Sequence, residues 1–243
     1  EEAAGFALRA LRADGVDVRE RAKAVKVEGE AGAIRVTLDS GEVMAASHLL
    51  VAAGRTPNIE ALNLEIAGIR HNAKGIDVDA GLKTSNRRIY AIGDCATGAT
   101  DGLQFTHVAN YHAGIVIRNA LFRLPAKVSN RAIPRVTYCD PEIASVGMSE
   151  EAARAAGHTV QILRWPFAEN DRAQAERAPE GMIKVVIDKK SRILGVVIAG
   201  KNAGDLLLPW IIAVQKGWKI GEMTGFVFPY PTLSEVSKRV AVT

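Results

Sequence analysis

Arg88-Ile89-Tyr90-Ala91-Ile92-Gly93-Asp94 joins a short apolar run to a glycine and an aspartate. A run this short, rich in Ile and carrying an aromatic, predicts a buried strand. Gly93 lets the chain turn sharply, or lets a ligand approach the backbone closely. Asp94 then stands at the C-terminal end of the strand, where open α/β sheets place their ligands. A carboxylate there can accept hydrogen bonds from a sugar or polyol hydroxyl. Alternatively, Asp94 caps the following helix.

Other stretches lie around it in a fixed order. Leu49-Leu50-Val51-Ala52-Ala53-Gly54-Arg55-Thr56-Pro57-Asn58 lies upstream, then Lys74-Gly75-Ile76-Asp77-Val78-Asp79 and Leu82-Lys83-Thr84-Ser85. Downstream come Tyr138-Cys139-Asp140-Pro141-Glu142-Ile143-Ala144-Ser145-Val146-Gly147 and Tyr230-Pro231-Thr232-Leu233-Ser234-Glu235. In this order the motifs resemble the C-terminal half of the flavoprotein disulfide reductases, the family of dihydrolipoamide dehydrogenase, glutathione reductase and mercuric reductase. The resemblance runs along nearly all of the chain.

The composition sets the class. The chain has 243 residues, 48% of them hydrophobic, which suits a globular protein of one to three domains. A net charge of +4 is mild, and no basic stripe interleaved with aromatics is present, so nucleic acid is not expected as a partner. No apolar run approaches the ~20 residues of a membrane helix. Cys95 and Cys139 are not spaced C-x-x-C. They read as free thiols buried in the core, in a reducing, cytoplasmic setting.

The chain opens on Glu1-Glu2 inside a helical pattern carried by Ala3, Ala4, Ala7, Leu8 and Leu11, with Gly15 as its stop. No strand precedes this helix, which suggests a chain cut within a dinucleotide-binding domain. Val16-Asp17-Val18 alternates like a strand, and residues 16–47 read as a small β meander. The Leu49–Ala53 run predicts a buried strand broken by Gly54 and Pro57. Ile76 and Val78 alternate with Asp77 and Asp79, as in a half-exposed strand. Phe105-Thr106-His107 leads into a helix through Ala113, Val116, Ile117 and Ala120, whose head can offer N–H groups to an acceptor. His107 and His112 lack a carboxylate or cysteine at ligand spacing, so no metal site is expected; they are structural or flavin-adjacent.

After residue 131 the pattern changes. Strands at Ile133–Tyr138 and Ile143–Val146 flank an Asp-Pro-Glu turn. Ser149 caps a helix from Glu150 to Ala156, stopped by Gly157. Thr159–Trp165 is a strand. Met182–Ile187 and Ile193–Ile198 pair as a hairpin around Asp188-Lys189-Lys190-Ser191. A helix through Leu206, Leu207, Trp210, Ile211 and Val214 follows, with Pro209 in its first turns. Antiparallel strands with grouped helices argue an α+β layer domain.

The resemblance supplies the rest. It implies an α/β remnant of NAD and FAD domains followed by an α+β dimerisation domain: residues 1–53 end an NAD(P)-binding domain, 54–130 end an FAD-binding domain, and 131–243 dimerise. It implies FAD and NAD(P)H as cofactors of the parent, with Ala53, Gly54, Arg55, Gly93, Asp94, Thr106 and His107 on the cofactor side. It implies a homodimer in which Tyr230 and Glu235 face the partner's redox thiols. The glycine fingerprint G-x-G-x-x-G and the paired redox cysteines are absent from this chain, so alone it is not expected to transfer hydride or exchange disulfides. Most of the family has His where Tyr230 stands. A phenol near pKa 10 is a poor proton shuttle at neutral pH beside an imidazole near 6.5. Mercuric reductases resemble the chain in having Tyr there, but they continue with Leu where Pro231 stands and end in a cysteine pair. The parent is thus expected to reduce a disulfide or a thiol-reactive metal ion such as mercuric ion. The competing reading is a dimerisation module without chemistry of its own; for Tyr230 itself the alternative is an aromatic packed in a subunit interface.

Overall fold

The computed structural model describes residues 2–243; Glu1, which the sequence places in the opening helix, lies outside them. Helix α1 (Glu2–Ala13) buries Ala3 and Ala7 one turn apart, and Gly15 at φ +84° lets the chain leave it. Two compact units are present, one formed by Leu11–Thr56 and one by the described residues on either side.

In the first unit, β1 (Ala24–Glu30), β2 (Ala33–Leu38) and β3 (Val43–Ala46) form an antiparallel meander in the order β1-β2-β3. Two expectations fail here. Val16-Asp17-Val18 is not a strand, and neither is Leu49–Ala53, in which Leu50 is 88% and Val51 75% exposed. An apolar run becomes a strand only where another strand takes its backbone hydrogen bonds. Neither segment has such a neighbour among the described residues.

The second unit carries two sheets. In the smaller, β4 (His71–Asn72) pairs antiparallel with β5 (Gly75–Val78), and β5 pairs parallel with β6 (Ala96–Gly98). Ile76 and Val78 are buried and Asp77 is half-buried, the alternation of a strand with one wet face. These strands share a core with Leu64, Leu82, Ala91 and Ile115, the last from α2 (Thr106–Ala120). The Arg88–Asp94 run is not the expected strand. It makes one bridge, Lys83 to Tyr90, and folds back: Thr84 N–H donates to the Ile89 carbonyl and Ala91 N–H to that of Leu82. Ala91 is buried and Ile92 is 37% exposed. Ile89 N–H is taken by the Asn86 carbonyl at 2.9 Å, within the turn that precedes it.

The larger sheet has five antiparallel strands in the order β7-β8-β11-β10-β9. They are β7 (Arg135–Thr137), β8 (Glu142–Gly147), β9 (Val160–Pro166), β10 (Met182–Asp188) and β11 (Ile193–Gly200). Between β8 and β9, Ser149 Oγ accepts from Ala152 N–H at 3.1 Å and starts α3 (Glu150–Ala155), with Gly157 at φ +82° beyond its end. Asn170 caps α4 (Asp171–Ala175) in the same way. The expected helix around Trp210 is broken into α5 (Ala203–Leu206) and α6 (Leu208–Lys216), because Pro209 has no N–H for the preceding turn. With α7 (Glu235–Val242), these helices close a core containing Trp210, Phe167, Ile183 and Ile198, all wholly buried. Trp210 Nε1–H donates to Ser237 Oγ at 3.0 Å, so its one polar atom is satisfied. No helix among the described residues is long and apolar enough to cross a membrane.

Candidate functional site

Gly93, Asp94 and Cys95 form a single 3-10 turn between Ile92 and β6. Its place is fixed by close backbone approaches. Gly93 has φ +66°, and a Cβ on it would stand 2.8 Å from Ala109 Cβ on α2. A Cβ on Gly75 would stand 2.5 Å from the Cys95 carbonyl oxygen. Glycine at both positions lets the turn sit between β5 and α2. Gly93 N–H donates to His112 Nδ1 at 3.1 Å, from a residue on the facing side of α2. His112 is wholly buried, and burial pushes its imidazole below the usual histidine value. Asp94, the next residue along the turn, is half-buried.

The head of α2 lies close in sequence. Phe105 gives it no side-chain cap, and Thr106 and His107 are exposed. An uncapped helix start presents N–H groups to an acceptor. His107 is held by ring stacking on Phe105, with centroids 5.1 Å apart, and by a 3.0 Å hydrogen bond between Nε2 and the Pro134 carbonyl. Thus Gly93, Asp94, Thr106 and His107 fall on one turn and the helix packed against it. Ala53, Gly54 and Arg55 are exposed, and Ala53 and Gly54 belong to the other unit's loop rather than to a strand end.

A second cluster surrounds Tyr230, which is 71% exposed. Its hydroxyl donates to Asp171 Oδ2 at 2.9 Å. That bond to Asp171, with the carboxylate's charge, holds the phenol above its usual pKa. Asn170, nearly buried, caps α4 with Oδ1 and donates from Nδ2 to the Thr232 carbonyl at 3.1 Å. Glu235 is the first residue of α7, and its Oε2 accepts from Thr232 N–H at 3.4 Å. Tyr230 and Glu235 therefore have different partners. Asp171 lies 59 residues from Tyr230 and was not foreseen from sequence; only the Asn170 cap had a local signal, a polar residue before a helix start.

The two cysteines are free but half-buried rather than core residues. Their thiols donate to turn carbonyls, Cys95 to Ile92 at 3.3 Å and Cys139 to Pro141 at 3.1 Å, which keeps them at the edges of the packing. No group of three or more His, Cys, Asp or Glu able to hold a metal occurs among the described residues. A cavity of about 240 Å³ is lined in part by Glu2, Arg135, Glu150 and Lys184 and shares no residue with either cluster. Three of its charges pair with one another: Lys184 Nζ lies 2.8 Å from Glu150 and 3.2 Å from Glu2. It reads as a structural ion-pair network.

The chain is similar to known proteins along nearly all of its length. Residues 1–113 match the family model described as pyridine nucleotide-disulphide oxidoreductase, and residues 133–241 match its dimerisation domain. A mercuric reductase of Staphylococcus aureus is 38% identical over 90% of this chain and 40% of its own length. A dihydrolipoyl dehydrogenase of Thermus scotoductus is 36% identical over 96% of this chain and 51% of its own. Among solved structures, a HOCl-induced flavoprotein disulfide reductase of Escherichia coli superposes with a TM-score of 0.89 at 27% identity, covering all of this chain and 55% of that one. The chain spans about half the length, or somewhat less, of the relatives it matches.

Proposed function

We propose, from the premise that this chain belongs to the pyridine nucleotide-disulphide oxidoreductase family, that it supplies the C-terminal half of an FAD- and NAD(P)H-dependent reductase. FAD, when bound, would supply the redox chemistry between the nicotinamide and a redox disulfide that this chain does not contain. This chain's residues hold the flavin and carry the acceptor-side loop. The carrying observation is Asp94 on a turn pinned between β5 and α2, beside an uncapped helix start. A half-buried carboxylate suits a polyol hydroxyl, and the N–H groups of a helix head without a side-chain cap suit the oxygen-bearing edge of a flavin. Residues 1–53, 54–130 and 131–243 serve as NAD(P), FAD and dimerisation segments, with Ala53, Gly54 and Arg55 at the crossing from the first to the second.

Residues 131–243 pair with a second copy. Tyr138, Leu208, Phe226 and Val227 are exposed there, an apolar surface that a partner would cover. Across that contact Tyr230 meets the substrate of the partner subunit. The substrate is a disulfide or a thiol-reactive metal ion such as mercuric ion; relatives of both kinds match at similar identity. With a phenol held protonated by Asp171, Tyr230 donates a hydrogen bond or offers an oxygen, and does not serve as a base. The test is flavin content. Asp94→Ala in the full-length parent is expected to lose FAD on extensive dialysis, and retention equal to that of the unaltered enzyme would reject the reading.

A further inference from the structure

We propose that His112 is a positioning residue for the cofactor: its Nδ1 holds the Gly93 amide and, through it, the turn that presents Asp94. This deepens the flavin reading above and rests on it for its consequence. Two residues three apart on α2 make the contact, so they share a face of the helix. Ala109 is small enough for Gly93 to approach it, and His112 supplies the acceptor for the Gly93 amide at 3.1 Å. For Nδ1 to accept, the ring is neutral and its proton sits on Nε2. Yet Nε2 is buried without a partner among the described residues. A buried orphan donor is unfavourable, and a phenylalanine or leucine would fill the space without it. The imidazole is explained by the bond its other nitrogen makes.

Protonation would convert Nδ1 to a donor and break that bond. Asp94 and Cys95 lie on the facing turn, and His107 and Tyr111 on the same helix, but burial alone accounts for the lowered affinity of His112 for a proton. The seat is therefore complete above the ordinary histidine value of about 6.5. It loosens as the pH falls through the lowered value in the folded chain.

The bond is tested first without flavin, in the 243-residue chain, by imidazole nitrogen NMR and amide exchange. The expected result is the Nε2–H tautomer and a protected Gly93 amide. His112→Phe should speed Gly93 exchange by about tenfold, the loss of roughly one hydrogen bond. His112→Asn places an amide oxygen near the Nδ1 position; it should keep most of the protection and remove its pH dependence. An Nδ1–H tautomer, or an unprotected Gly93 amide, would overturn the inference even if the Phe variant fails to fold. Flavin retention in the full-length parent follows. Weaker retention in His112→Phe and near-normal retention in His112→Asn support the inference. Loss of flavin in Asp94→Ala but not in His112→Phe overturns it and leaves the flavin reading standing. Retention in both overturns the two together.

Discussion

The turn at Gly93 and the loop at Tyr230 are held in opposite ways. The turn is set by backbone approaches with no free volume: Gly93 against Ala109, Gly75 against Cys95, and a wholly buried His112 on the Gly93 amide. The loop is set by polar side chains, with Tyr230 reaching Asp171 at the surface, Glu235 reaching the Thr232 amide, and the buried Asn170 reaching the Thr232 carbonyl. Packing is intolerant of volume and indifferent to salt; exposed polar pairs are the reverse. A group that must hold a cofactor at fixed distance is well served by the first. A group that meets a partner or a small substrate is served by the second, since it can re-pair. The comparison therefore predicts large substitution effects at the turn and small ones at the loop.

Gly93→Ala should give the largest. The new methyl enters the left-handed region and meets Ala109 at 2.8 Å. Left-handed backbone costs about 1–2 kcal/mol and overpacking about 1–3 kcal/mol, so a loss of about 2–5 kcal/mol is expected in urea unfolding. A loss under about 0.5 kcal/mol, the size of an ordinary surface change, would mean the turn is not rigid. Asp94→Ala comes next and acts on the cofactor: a loss of about 1.5–3 kcal/mol in FAD retention by the full-length parent, the range for hydrogen bonds to charged groups. Flavin content after dialysis, read from absorbance, measures it.

Much of the fold was legible because its signals are local. Ser149 before a helix, Gly15 and Gly157 after one, and the alternation of Met182–Ile198 about a polar turn need no distant partner to be read. The failed strands share one cause. Ile89–Ile92 and Leu49–Ala53 declare apolar character, but pairing is decided by what lies beside them, and neither is a strand. The candidate site was less legible. Asp94 was expected at the end of a strand and stands instead on a 3-10 turn, and Thr106 was singled out by the family resemblance rather than by its pattern. The bond from Gly93 to His112 spans 19 residues and that from Tyr230 to Asp171 spans 59, and no periodicity encodes either.

Glu235→Gln tests the loop at its firmer end. It removes a charge from the first turn of α7 and weakens acceptance from Thr232 N–H. Charge at a helix start contributes about 0.3–1 kcal/mol, so a loss in that range is expected at low salt and a smaller one at high salt. An effect that salt does not reduce would place Glu235 among buried contacts and weaken the contrast with the turn.

Tyr230→Phe should change the least. The phenol is exposed and its bond to Asp171 competes with water, so the urea midpoint of this chain should not move measurably. The bond should show instead in ionisation. Asp171 raises the phenol's pKa, so the folded state keeps the proton longer than the unfolded state does. Whatever stability the bond gives is then complete below the ordinary tyrosine value near 10 and is lost as the pH rises through the raised one. Asp171→Asn should return the phenol toward its ordinary value, seen by difference absorbance in alkali with Tyr230→Phe as the blank. In the full-length parent, Tyr230→Phe should leave the pH profile of disulfide reduction nearly unchanged, because a phenol held protonated is no base. Tyr230→His should raise that activity by some part of the ~10²–10⁴-fold that a placed acid–base supplies. If Tyr230→Phe abolishes disulfide reduction and shifts its pH optimum, the phenol is the acid–base, and the loop is held as rigidly as the turn.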